Sequence, residues 1–179
     1  MAQRRRRSTR CLTAAAVLAA LGVVLLTLGA FVEVLDLSMA AIASLTVVFA
    51  VIELRGKYPY LVYLTTATLS LLLLPSKTPA LLYALFAGYY PMLKAVLEKR
   101  FSRPVSWLFK ILVFNAALAL IVLGSVKLLW LGELVWQPWY VLVFPLGTAV
   151  FCLYDVALTR LITVYLWRWR GRFRFLNDD

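Results

Sequence analysis

Six runs of uncharged, mostly apolar residues follow one another along the chain, at about 11–32, 38–54, 58–74, 79–97, 105–130 and 139–167. Crossing a hydrocarbon core of roughly 30 Å takes about 17 to 25 residues of α-helix. A backbone in lipid must also satisfy its own hydrogen bonds, so each run predicts a transmembrane helix. Proline supports the divisions: Pro59, Pro79, Pro104 and Pro138 stand near the starts of runs, where a missing N–H costs nothing, and Pro75 follows the end of one. Pro91 and Pro145 fall inside runs and predict kinks, each freeing a carbonyl that a neighbouring helix must satisfy. The second and third runs are short, so the weakest division is Glu53-Leu54-Arg55-Gly56-Lys57. The predicted fold class is an all-α integral membrane protein, a compact bundle of six transmembrane helices with both termini cytoplasmic. Residues 1–10 would form a basic cytoplasmic N-terminus, 11–167 the membrane domain, and 168–179 a basic aromatic interfacial tail.

Composition agrees with this pattern. Of 179 residues 64% are hydrophobic and 15% charged, against about 45–50% and about 25% in soluble domains. A water-soluble globular protein is excluded. The net charge of +11 sits between apolar runs and not on a polar domain, which points to a membrane and away from nucleic acid. Its distribution sets an orientation. The N-terminus, the connection after the second run, the region around the fourth and fifth runs and the C-terminal end together hold 17 of the 19 Lys and Arg. The alternate connections hold Lys77 and Lys127, with the acids Glu33, Asp36 and Glu133. Six alternating crossings with both ends inside produce that split. The first run is long for a secretory signal and no small-residue cleavage site ends it, so it reads as a retained helix. Its arginine pairs read as basic flanks more readily than as a twin-arginine signal. In the tail, Trp167 to Phe175 alternates aromatic rings with arginines, which suits anchoring to anionic lipids along the inner surface, or docking to a cytoplasmic partner.

The chain has no histidine, which removes His-based nucleophilic catalysis and ordinary zinc sites. Cys11 and Cys152 are far apart and suggest neither a disulfide framework nor a metal site. Gly56-Lys57 lacks the rest of a phosphate-binding loop, and no run carries paired acids at metal-ligand spacing. The expectation is a protein that is not an enzyme and uses no cofactor or metal. Asp155 is the most telling intramembrane charge, because a carboxylate in an apolar run is costly unless it is paired or protonated. Lys110 and Arg160 are its candidate partners in a structural ion pair. Ala15 with Ala19, and Ala16 with Ala20, place small residues four apart on the first helix, a strip that lets another helix approach closely. Packing inside the bundle and docking of a partner are both open on that pattern.

The strip Thr13-Ala14-Ala15-Ala16-Val17-Leu18-Ala19-Ala20, with Val34-Leu35-Asp36-Leu37-Ser38, Ala43-Ser44-Leu45 and Tyr83 to Lys94, resembles the substrate-binding S component of energy-coupling factor (ECF) vitamin transporters. Size and the six-helix topology share in the resemblance, which covers mainly the first hundred residues. It implies a prokaryotic plasma-membrane subunit that captures a small vitamin-like micronutrient from outside and topples to release it inward. A transmembrane coupling subunit and two cytoplasmic ATPases would supply the energy, with Ala15, Ala16, Ala19 and Ala20 as the docking face. The substrate would bind near the outer face. Its candidate contacts are Glu33 and Asp36 in the first outer loop, Tyr83 and Phe86 with Tyr90 as a stacking wall, mid-membrane Asn115, and Lys127 and Glu133 in the last outer connection. Helix capping for the two acids, core packing for the rings, an interhelical bond for Asn115 and an interfacial aromatic belt around Lys127 account for the same residues without a ligand. A non-transporting membrane scaffold or assembly factor is the alternative of a different class, and a lipid-modifying enzyme the third.

Overall fold

The computed structural model describes the backbone of residues 2–54, 56–128 and 139–168, and the side chains of 9–32, 34–54, 56–120 and 142–168. Each apolar run becomes a helix: α1 (Ala2–Phe31), α2 (Asp36–Leu54), α3 (Tyr58–Leu73), α4 (Thr78–Arg100), α5 (Arg103–Leu128) and α6 (Trp139–Arg168). No strand occurs among the described residues. Residues 2–10, expected as a separate N-terminal segment, continue α1 without a break, since arginine and alanine favour helix and no proline intervenes. The weak division after α2 is real. Gly56 takes a positive φ of 60°, which terminates the helical path and which side chains with a Cβ rarely adopt.

Among the described residues, five segments are long and apolar enough to cross a membrane: Thr9–Phe31, Asp36–Leu54, Thr78–Arg100, Arg103–Leu120 and Leu142–Arg168. The sixth helix, α3, has 16 residues and spans about 24 Å at about 1.5 Å per residue. Among the described residues two helices contain a wider π-helical turn, Ala50–Leu54 at the end of α2 and Tyr83–Ala87 within α4. Such turns expand the helix by one residue and leave a carbonyl without its usual donor.

The chain divides into two packing units, residues 1–96 with 162–179, and residues 97–161. In the first, α1 packs on α2 and α3 through Cys11, Ala15, Ala19, Gly22, Leu26 and Gly29, one stripe at helical spacing. The fit is close. A Cβ added at Gly22 would stand 2.9 Å from Thr66 Cγ2, and one at Gly29 2.9 Å from Met39 Cβ. Thr66 Oγ1 donates across the contact to the Ala19 carbonyl at 3.3 Å, and Ser70 Oγ donates to the Thr66 carbonyl one turn further on. Small residues on both sides bring the backbones near enough for such a bond, which is how helices associate where lipid supplies no hydrophobic drive.

In the second unit α5 and α6 are joined by stacked rings and an amide. Phe114 lies on Phe151 at 4.7 Å between centroids and 10° between planes. Gly147 makes room for this stack, since a Cβ there would meet Leu118 at 3.1 Å and Phe114 at 3.4 Å.

Candidate functional site

Polar groups buried in the two units are the positions where a membrane protein concentrates cost and function. In the first unit the π-turn of α4 builds one of them. Gly88 N–H bonds to the Tyr83 carbonyl at 2.7 Å, five residues back, and so leaves the Ala84 carbonyl unclaimed. Tyr63 from α3 fills the vacancy, its hydroxyl donating to Ala84 O at 2.8 Å. The π-turn, and not Pro91, frees this carbonyl, since the missing N–H of Pro91 bears on the Ala87 carbonyl three residues further on.

The same turn shapes the aromatic cluster. Tyr83 is fully buried, with its ring 6.2 Å from that of Tyr63, and Gly88 stands so close that an added Cβ would lie 2.8 Å from Tyr83 Cε1. Tyr89 meets Tyr63 edge-on at 6.4 Å. Phe86 is half-buried and lies 5.2 Å from Tyr90. Tyr63 thus occupies ground beside Tyr83 that a planar ligand was expected to take.

A second buried group joins the two ends of this unit. Glu53, in the terminal π-turn of α2, is buried and accepts a hydrogen bond from the Tyr165 hydroxyl of α6 at 2.9 Å. Phe49 packs edge-on against the Tyr165 ring at 5.7 Å. Sequence reasoning used Glu53 only to mark a boundary. The signal was present, since it is a carboxylate inside a segment long and apolar enough to cross the membrane.

The alanine strip divides between two environments. Ala15 and Ala19 are 4% and 3% exposed, buried in the internal stripe of α1, whereas Ala16 and Ala20 are exposed among Val17, Leu21 and Val24. A single docking face made of all four is therefore corrected. Positions 15 and 19 are consumed by packing in their own unit, and only Ala16 and Ala20 are left for another helix.

In the second unit Lys110 holds two carboxylates. Its Nζ lies 2.6 Å from Glu98 Oε1 and 3.3 Å from both oxygens of Asp155, with the Trp107 ring centroid at 5.5 Å. Lys110 and Asp155 are each 2% exposed, while the Glu98 side chain is 46% exposed. Of the two expected partners of Asp155, the structure selects Lys110; Arg160 points outward from α6. Glu98 was not anticipated, since twelve residues and a helix connection separate it from Lys110. Asn115 is satisfied within the protein, donating to the Ile111 carbonyl at 2.9 Å and to Thr148 Oγ1 at 3.4 Å.

Asp36 stands in the first turn of α2, where the helix dipole favours a negative charge. Glu33 lies in a 3₁₀ turn just before it and Lys127 in the last turn of α5; their side chains fall outside the described residues, as does all of Glu133. Among the described residues no group of three Cys, Asp or Glu is placed to hold a metal ion.

The fold and these internal polar contacts define an all-α, multi-pass membrane protein. Set against family models, curated proteins and solved structures, the chain matches none of them.

Proposed function

We propose that the chain is the substrate-capture subunit of an ECF-type importer in a prokaryotic plasma membrane. Both termini would face the cytoplasm, as the 17 to 2 distribution of basic residues favours. The observation that carries the reading is the outer face of α1. This helix is mostly unburied, and its exposed side keeps Thr13, Ala16 and Ala20 at one-turn intervals between larger apolar residues. A coupling subunit could pack closely there without disturbing the internal stripe. The protein would bind a small vitamin-like molecule, and its partners would supply the energy that its own sequence, without a nucleotide loop, does not provide.

Affinity purification of the full chain from native membranes tests this directly. The expected result is co-recovery of a transmembrane coupling subunit and two ATPases, together with a small molecule released on denaturation and visible by mass spectrometry. Recovery of neither, with the partners expressed, contradicts the proposal. One observation favours the second reading, a non-transporting scaffold: Tyr83 and Asn115, both weighed as ligand contacts, are occupied by Tyr63 and Thr148. A fixed partner recovered without any bound small molecule would select the scaffold.

A further inference from the structure

The connection between α4 and α5 is short, with only Phe101 and Ser102 separating two segments able to cross the membrane. It therefore sits at a membrane–water boundary, whichever leaflet that is. Three cations crowd it: Lys99 and Arg100 end α4, and Arg103 begins α5. All three are exposed, and among the described residues none makes a hydrogen bond or ion pair. The acid beside them, Glu98, is already engaged by Lys110 at 2.6 Å. Between these cations in the chain, Phe101 stacks on Phe109 of α5 with centroids 5.2 Å apart, and the two residues are 40% and 42% exposed. Leu108 extends the apolar surface down α5 at 67% exposure.

We infer that this elbow binds a phospholipid with an anionic headgroup, the phosphate held by Lys99, Arg100 and Arg103 and an acyl chain lying on Phe101, Phe109 and Leu108. The elbow is amphipathic in the same sense as the lipid: three exposed cations at the connection are followed along α5 by exposed rings and aliphatic surface. A free anion would match the upper part alone. A zwitterionic lipid would match the apolar part but bring a fourth cation to the three already there. Long cationic side chains near a helix end lose little by reaching to the interface, and each contributes there to the attraction for anionic lipid.

Native mass spectrometry of the full-length protein in mild detergent, titrated with phosphatidylglycerol or phosphatidylcholine, tests the inference. Phosphatidylglycerol should bind the more tightly. The triple variant Lys99→Gln/Arg100→Gln/Arg103→Gln should weaken it by about fivefold per cation, on the order of a hundredfold in all, and leave phosphatidylcholine unchanged. The charge-matched tail variant Arg170→Gln/Arg172→Gln/Arg174→Gln should keep the tight phosphatidylglycerol. Undiminished binding by the elbow variant, an equal loss in the tail variant, or displacement of the lipid by inorganic phosphate would each overturn the site. Circular dichroism of the elbow variant should match the parent, because all three positions are exposed. The outcome is independent of whether the protein transports anything.

Discussion

Replacing Lys110 by methionine is expected to cost about 3–5 kcal/mol of stability, the loss seen when one member of a buried ion pair is removed. The ammonium lies between Glu98 and the buried carboxylate of Asp155, and methionine keeps most of its length while removing the charge. Glu98→Gln supplies the contrast. Its side chain is 46% exposed, so loss of its charge is screened and should cost at most about 1 kcal/mol. Denaturation in mixed micelles with increasing dodecyl sulfate, followed by circular dichroism, measures both. If Glu98→Gln proves as damaging as Lys110→Met, the buried Asp155 pair is not the part that matters.

The second large effect separates the two sides of α1. Ala19→Trp should dislodge α1, because the new ring has to enter a contact tight enough for Thr66 to reach the Ala19 carbonyl. Small overpacking changes already cost about 1–3 kcal/mol, and an indole is far larger. Ala20→Trp, one residue on, should leave the unit intact because it enlarges an exposed position. Cys11 reports the difference, as it belongs to the same buried stripe. With Cys152→Ser as background, a maleimide should label Cys11 readily in Ala19→Trp and slowly in the parent and in Ala20→Trp. On the importer reading, Ala20→Trp should also lose the coupling subunit while keeping its fold.

These contrasts mark how far the sequence could be read. Helix number and most boundaries were legible because apolar length, proline position and the Gly56 break all act locally. The pairing of Asp155 was legible to within two candidates, since few cations lie at its depth. The division of the alanine strip was not. An i, i+4 spacing names a face but not what lies opposite it, and beside Ala19 that is Thr66 of α3. The setting of Tyr83 was hidden for a different reason. The π-turn of Tyr83–Ala87 departs from the 3.6-residue repeat on which the stacking wall was built, and the carbonyl it frees draws Tyr63 in beside Tyr83. Glu53 was passed over as a boundary residue, because its place beside a basic connection carries no sign of the Tyr165 hydroxyl that meets it in the fold.

All of the functional reading depends on an even number of crossings, and the shortest apolar helix described is α3 with 16 residues. Short helices cross by local thinning of the bilayer and by tilting their neighbours, at modest cost. The decisive measurement is labelling of intact cells with a membrane-impermeant maleimide, using Lys77→Cys and Ser102→Cys in a Cys11→Ser/Cys152→Ser background. The account predicts that position 77, between α3 and α4, reacts from outside, and that position 102, between α4 and α5, reacts only after the membrane is opened. Protection of position 77 until lysis together with labelling of position 102 from outside would show that α3 does not cross, and would contradict it.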